Sequence, residues 1–73
     1  MRVYKYTVQF LDCCGEINKM YFDTLESAKV QVCKCYHIDT VGAMDEWHYI
    51  TDEDGDEYGY RIRYTLVDTD DIY

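Results

Sequence analysis

The side chains best suited to chemistry in this chain are its four cysteines. Cys13 and Cys14 are adjacent, whereas Cys33 and Cys35 lie two residues apart. Zinc sites usually follow a C-x₂₋₄-C spacing, which neither pair has. Residues two apart on a helix also point to different sides. The pattern therefore favours ordinary reduced thiols, with Cys33 or Cys35 packed in the core, and leaves zinc binding and a disulfide as alternatives.

Catalysis has little support in the sequence. His37 and His48 are the only histidines, and nothing in their spacing orients either one toward a cysteine nucleophile. Neither a glycine-rich phosphate-binding motif nor an H-E-x-x-H motif is present. A chain of 73 residues also leaves little room for a substrate pocket. The sequence therefore predicts a protein that is not an enzyme and needs no cofactor.

The acidic residues are concentrated in one part of the chain. The net charge is −8, and residues 45–73 carry all of it, with ten acids against Arg61 and Arg63. Residues 52–57 alone hold five acids in six positions. An EF-hand would need glycine and a bidentate glutamate at fixed positions, and Gly55 does not fit that register. We therefore predict no metal site, although loose calcium binding stays an alternative. Such charge asymmetry hints at an interaction surface.

Composition excludes several classes of protein. The excess of acids argues against direct binding to nucleic acid or to anionic membrane, since like charges repel. No apolar stretch is long enough to span a bilayer, and no signal peptide is apparent at the N-terminus. Disorder is also excluded, because 48% of the residues are hydrophobic and 16% are aromatic. We expect a cytoplasmic protein.

Hydrophobic periodicity predicts a hairpin followed by a helix. Residues 3–11 alternate as a half-buried strand, residues 12–16 form a turn, and residues 17–22 form the returning strand. Asp23 or Thr24 then caps a helix that ends near residue 37 or 38. Its apolar stripe consists of Leu25, Ala28, Val32 and Tyr36.

A second hairpin completes the fold. Residues 46–51 and 57–67 are predicted strands on either side of the acidic loop, and residues 68–73 are an acidic tail expected to fray. We therefore predict a single α+β domain over residues 1–73. It is a four-stranded antiparallel sheet in the order strand-strand-helix-strand-strand, with one helix packed on one face.

Aromatic residues accompany the acids of the second hairpin. Nine tyrosines and one tryptophan exceed what a small core can bury, and both residue types are enriched at interface hot spots. Strand propensity accounts for many of them. The predicted partner-binding residues are Asp45, Glu46, Trp47, Tyr49, Asp52, Glu53, Asp54, Asp56, Glu57 and Tyr58.

In size, charge and tyrosine-rich composition the chain resembles the small acidic nucleic-acid mimics that bacteriophages encode, including many anti-CRISPR proteins. The resemblance implies a stoichiometric inhibitor that fills the basic DNA-binding groove of a CRISPR effector nuclease in a bacterial host. Its departure from that class is the neutral charge of residues 1–44. The alternative is a small adaptor or homodimeric module that uses an exposed sheet face or an edge strand.

Overall fold

The structure, a computed structural model, describes residues 1–71. Within them the chain forms two hairpins separated by a helix and ends in one turn of 3₁₀ helix. The elements are β1 (Arg2–Leu11), β2 (Ile17–Phe22), α1 (Leu25–Tyr36), β3 (His48–Thr51), β4 (Glu57–Asp68) and the 3₁₀ turn (Thr69–Asp71).

All four strands pair antiparallel in one sheet, in the order β2-β1-β4-β3. The two long strands are therefore central, and the short strands β2 and β3 form the edges. Strand alternation sends Val8 and its partner Ile62 to one face, while their neighbours Thr7 and Arg63 lie on the other. The predicted α+β fold and the order of its elements are confirmed.

Helix α1 covers the face that carries Val8 and Ile62. Its start is fixed by Thr24, whose side chain accepts a hydrogen bond from the backbone N–H of Ser27. Its end is fixed by His37, which adopts a left-handed conformation with φ 55°. The predicted stripe is confirmed, since Ala28 and Val32 are fully buried. Leu25 and Tyr36 pack against the same cluster.

Several element boundaries differ from the prediction. Strand β3 begins at His48 and not at residue 46, because Asp45 takes φ 66° and breaks the extended backbone. Strand β4 extends through Asp68. The first part of the predicted fraying tail is held in place, since Thr69 donates its backbone N–H to the carbonyl of Met1. Residues 72–73 of that tail lie outside the described residues.

Helix α1 is shorter than the strands beneath it and leaves one end of that face of the sheet uncovered. Twelve residues of helix extend roughly 18 Å, whereas twelve residues of strand extend roughly 40 Å. Tyr4, Tyr64 and Leu66 lie beyond its reach and are 59%, 52% and 47% exposed. The rings of Tyr4 and Tyr64 stack on each other with centroids 5.2 Å apart.

Candidate functional site

The acidic loop at residues 52–57, here called the acidic tip, is a well-formed turn. The Asp52 carboxylate accepts hydrogen bonds from the backbone N–H groups of Asp54 and Asp56, at 3.0 and 2.9 Å. The Asp52 carbonyl accepts from the N–H of Gly55, which takes φ +87°. Side-chain to backbone bonds of this kind define the turn locally. Asp52 is half-buried and holds the turn. Its prediction as a partner-binding residue did not include this structural role.

The other four acids of the acidic tip point into solvent: Glu53, Asp54, Asp56 and Glu57 are all exposed. Carboxylate oxygens of Asp52, Asp54 and Asp56 lie within 4.8 Å of one another. They are the one group of three metal-ligand side chains at that spacing in the part of the chain that the structure describes. The ion pairs of residues 1–71 involve other acids: Asp23, Asp45 and Asp68.

The turn at residues 12–16, here called the cysteine turn, lies next to the acidic tip at the same end of the sheet. Strand pairing sets Leu11 opposite Gly59, so the two turns leave the sheet side by side. The half-buried Tyr58 connects them. A hydrogen bond with the Cys13 side chain raises the pKa of Tyr58 to about 12, and the charges of Asp52 and Asp56 act in the same direction.

Four of the predicted partner-binding residues lie apart from the acidic tip. Trp47 and Tyr49 belong to the sheet face opposite the helix, here called the open face, where their rings stack with centroids 6.5 Å apart. The guanidinium of Arg61 lies 4.8 Å from the centre of the Trp47 ring. Asp45 forms an ion pair with Arg63 at 3.7 Å. The predicted surface is therefore two patches, one purely acidic and one aromatic with paired charges.

The loop between α1 and β3 positions the second patch. Gly42 donates its N–H to the hydroxyl of Tyr60, and Asp45 donates its N–H to the carbonyl of Ile62. The His48 ring bonds to the Ala43 carbonyl at 2.8 Å. A side chain at Gly42 would meet that ring at 2.3 Å, so a larger residue there would have to displace His48. Glu46, the remaining residue of the prediction, is exposed on this loop.

The open face is more basic than the rest of the molecule. Strand register places Lys19, Gln9 and Arg61 in one row, and Tyr21, Thr7 and Arg63 in the next. A shallow groove of about 240 Å³ follows these rows. Arg61 donates a hydrogen bond to Gln9 at 2.8 Å. The sequence signal for this face was the alternation of Arg61 and Arg63 with tyrosines in β4, and the site prediction did not use it.

The cysteines lie mostly at the surface. Cys13, Cys14 and Cys35 are exposed and Cys33 is half-buried, so the expectation that Cys33 or Cys35 packs in the core is not met. All four are free thiols. Tyr36, the aromatic residue between Cys35 and His37, is the one that packs inward, since its hydroxyl donates to the Gly59 carbonyl at 2.9 Å. Burial raises the pKa of Tyr36.

Comparison with known proteins identifies no relative: no family model, curated protein or solved structure matches this chain. Its described residues also include no helix long and apolar enough to cross a bilayer. The class that the structure defines is therefore a fold class, a helix-covered four-stranded α+β protein with an acidic tip.

Proposed function

We propose that this protein is an acidic binding protein that inhibits a nucleic-acid-binding enzyme by occupying its basic DNA-binding groove. The observation that carries the proposal is the acidic tip, where four exposed carboxylates surround a turn held by Asp52. Mutual repulsion of carboxylates this close is relieved when lysines or arginines of a partner approach. Those lysines and arginines would otherwise bind the phosphates of nucleic acid, so the inhibitor and the nucleic acid compete for them.

The proposed target class is a CRISPR effector nuclease in the cytoplasm of a bacterial host, on the resemblance to phage-encoded anti-CRISPR proteins. The inhibitor acts stoichiometrically and performs no catalysis. Association through an exposed acidic tip is fast and falls as salt rises, because surface charges are screened over about 8 Å at physiological ionic strength. Tyr49 and Trp47 supply apolar contacts if the partner also reaches the open face.

The decisive experiment reverses the charge of the acidic tip without touching its scaffold. In the test variant Glu53, Asp54, Asp56 and Glu57 become lysine while Asp52 is kept, because it bonds two backbone amides. We expect this variant to fold and to lose inhibition of DNA binding in mobility-shift assays with purified CRISPR effector nucleases that the native protein inhibits.

A matched control makes the same change in net charge elsewhere. Glu26, Asp39, Asp70 and Asp71 are exposed acids outside the acidic tip, and their replacement by lysine gives the same total charge. We expect this control to retain inhibition. If the tip variant inhibits as well as the native protein, or if both variants lose inhibition equally, mimicry of phosphate by the acidic tip is wrong.

A second candidate function is an adaptor or homodimer that pairs through the helix-side face. The observation in its favour is the exposed aromatic pair Tyr4 and Tyr64, which lies with Leu66 where the helix does not reach. Sedimentation over a range of concentrations tests the homodimer. A mass that rises with concentration in the native protein, and not in Tyr64→Ser, supports it; a monomer throughout excludes it.

A further inference from the structure

The cysteine turn brings two thiols into a fixed relation. Cys13 and Cys14 are both exposed, and their sulfur atoms lie 4.0 Å apart. The backbone between them is held by Asp12, whose carboxylate accepts the N–H groups of Cys14 and Glu16 at 2.9 and 2.8 Å. The two sulfurs are thus presented together at the surface by a turn that needs no rearrangement to keep them adjacent.

The surroundings of these sulfurs are acidic. The hydrogen bond with Cys13 raises the pKa of Cys14 most, and the charges of Asp12 and Asp56 raise it further. Cys14 therefore stays protonated at neutral pH. Zinc and similar divalent ions bind thiolates and would have to expel that proton. Anionic ligands are repelled by the same carboxylates. A ligand for this turn should be neutral, thiophilic and able to condense with protonated thiols.

We propose that Cys13 and Cys14 form a binding site for trivalent arsenicals, which join two neighbouring thiols in one ring. With phenylarsine oxide, both S–H bonds and the arsenic–oxygen bond break and two arsenic–sulfur bonds form. The two protons leave with the oxygen as one molecule of water. No oxidant or reductant is consumed, because arsenic stays trivalent and neither sulfur is oxidised.

The other two cysteines do not offer the same site. Cys33 and Cys35 are two residues apart on α1, where side chains project in different directions. Cys33 is half-buried, and the Cys35 sulfur accepts a hydrogen bond from the Gln31 side-chain amide at 3.3 Å. Cys33 and Cys35 therefore serve as a control pair of thiols within the same chain.

The test titrates the reduced protein with phenylarsine oxide at neutral pH and follows intact mass and free thiols. We expect one arsenical per chain, two thiols lost out of four, and full reversal by excess dithiothreitol. The double variant Cys33→Ser, Cys35→Ser should bind as the native protein does. Cys14→Ser should lose about 10²–10⁴-fold in affinity, because only one attachment remains.

Two results would overturn the proposal: undiminished affinity in Cys14→Ser, or loss of binding in the Cys33, Cys35 double variant. A pH profile checks the chemistry separately from any effect on folding. Condensation with protonated thiols should give an affinity that is flat near neutral pH and falls once Cys14 ionises. The titratable groups that act on Cys14 are Cys13, Asp12 and Asp56, and Tyr58 and Asp52 lie next to them. An affinity that rises from neutral pH to the pH at which Cys14 ionises would mean thiolate coordination and contradict the proposed condensation.

Discussion

The cysteine turn and the acidic tip share one backbone and differ in what they present. In each, an aspartate accepts the N–H groups two and four residues ahead, and a glycine at φ +87° comes three residues after it. Each aspartate N–H also bonds the carbonyl of the residue four positions ahead at 2.9 Å. Between aspartate and glycine, however, one turn carries two thiols and the other two carboxylates. The aspartate and the glycine make the turn, while the two residues between them, the inner pair, are free to specify a ligand.

The largest effect expected from this comparison concerns the two glycines. Gly15→Ala and Gly55→Ala should each lower the free energy of unfolding by about 1–2 kcal/mol, because a side chain disfavours the left-handed backbone. Space is not limiting, since no atom lies within 4 Å of either added carbon. Urea unfolding should give equal losses in the two turns. Asparagine, which tolerates this conformation, is the matched control and should cost less. Clearly unequal losses would mean that the turns are not equivalent.

The aspartates should show the next largest effect. Asp12→Ala and Asp52→Ala each remove an acceptor of two amides, for which about 1 kcal/mol is expected by analogy with a helix N-cap. Asparagine keeps the acceptor and removes the charge. Because Asp54 and Asp56 crowd Asp52, we expect Asp52→Asn to be neutral or stabilising in low salt. Thermal melts at two salt concentrations measure this, and a loss for Asp52→Asn as large as for alanine would refute the role of the acceptor.

Exchanging the inner pairs tests whether the two turns are interchangeable scaffolds. The fourfold variant Cys13→Glu, Cys14→Asp, Glu53→Cys, Asp54→Cys gives each turn the inner pair of the other. Its stability should lie within about 0.5 kcal/mol of the native protein, as for ordinary surface substitutions. The arsenical site should move with the thiols to the second turn. Failure of the moved pair to bind phenylarsine oxide would show that the turn geometry alone does not make the site.

The smallest effect concerns the titration of Tyr58. Cys13→Ala should lower the pKa of Tyr58 from about 12 toward its ordinary value, because it removes the hydrogen bond that raises it. A raised pKa in the folded state stabilises the fold fully below the ordinary pKa of about 10 and loses that contribution as pH rises through 12. That contribution is therefore present in full at neutral pH, so Cys13→Ala should be slightly less stable than the native protein there, and the difference should vanish as pH rises through 12. Ring-carbon NMR of Tyr58 measures the shift, with Cys33→Ala as the unaffected control.

Much of the fold was predictable because its signals are local. Alternation in residues 3–11 and the stripe from Leu25 to Tyr36 each follow the period of one element, and both are confirmed. The hairpin turns were also evident from their glycines. The repeat of an aspartate three residues before each glycine was visible in the sequence, and it could have identified Asp52 as a scaffold residue.

The separation of the predicted partner-binding residues into two patches was not predictable from local sequence pattern. Trp47 lies on the open face because the preceding loop is fixed by bonds to Tyr60 and Ile62, residues distant in sequence. The left-handed Asp45 turns the chain before β3 and brings its carboxylate to Arg63. Such contacts depend on tertiary structure, so proximity in sequence to the acidic tip was misleading.

The loop from His37 to Trp47 has a further consequence for hydrogen exchange and proteolysis. It is the longest segment without regular structure between two elements of the described chain, yet the amides of Gly42 and Asp45 are bonded to the sheet. Their protons should exchange slowly with solvent, at rates set by opening of the core. Proteases should accordingly cut first at the two short hairpin turns, and the long loop should remain intact until the sheet itself unfolds.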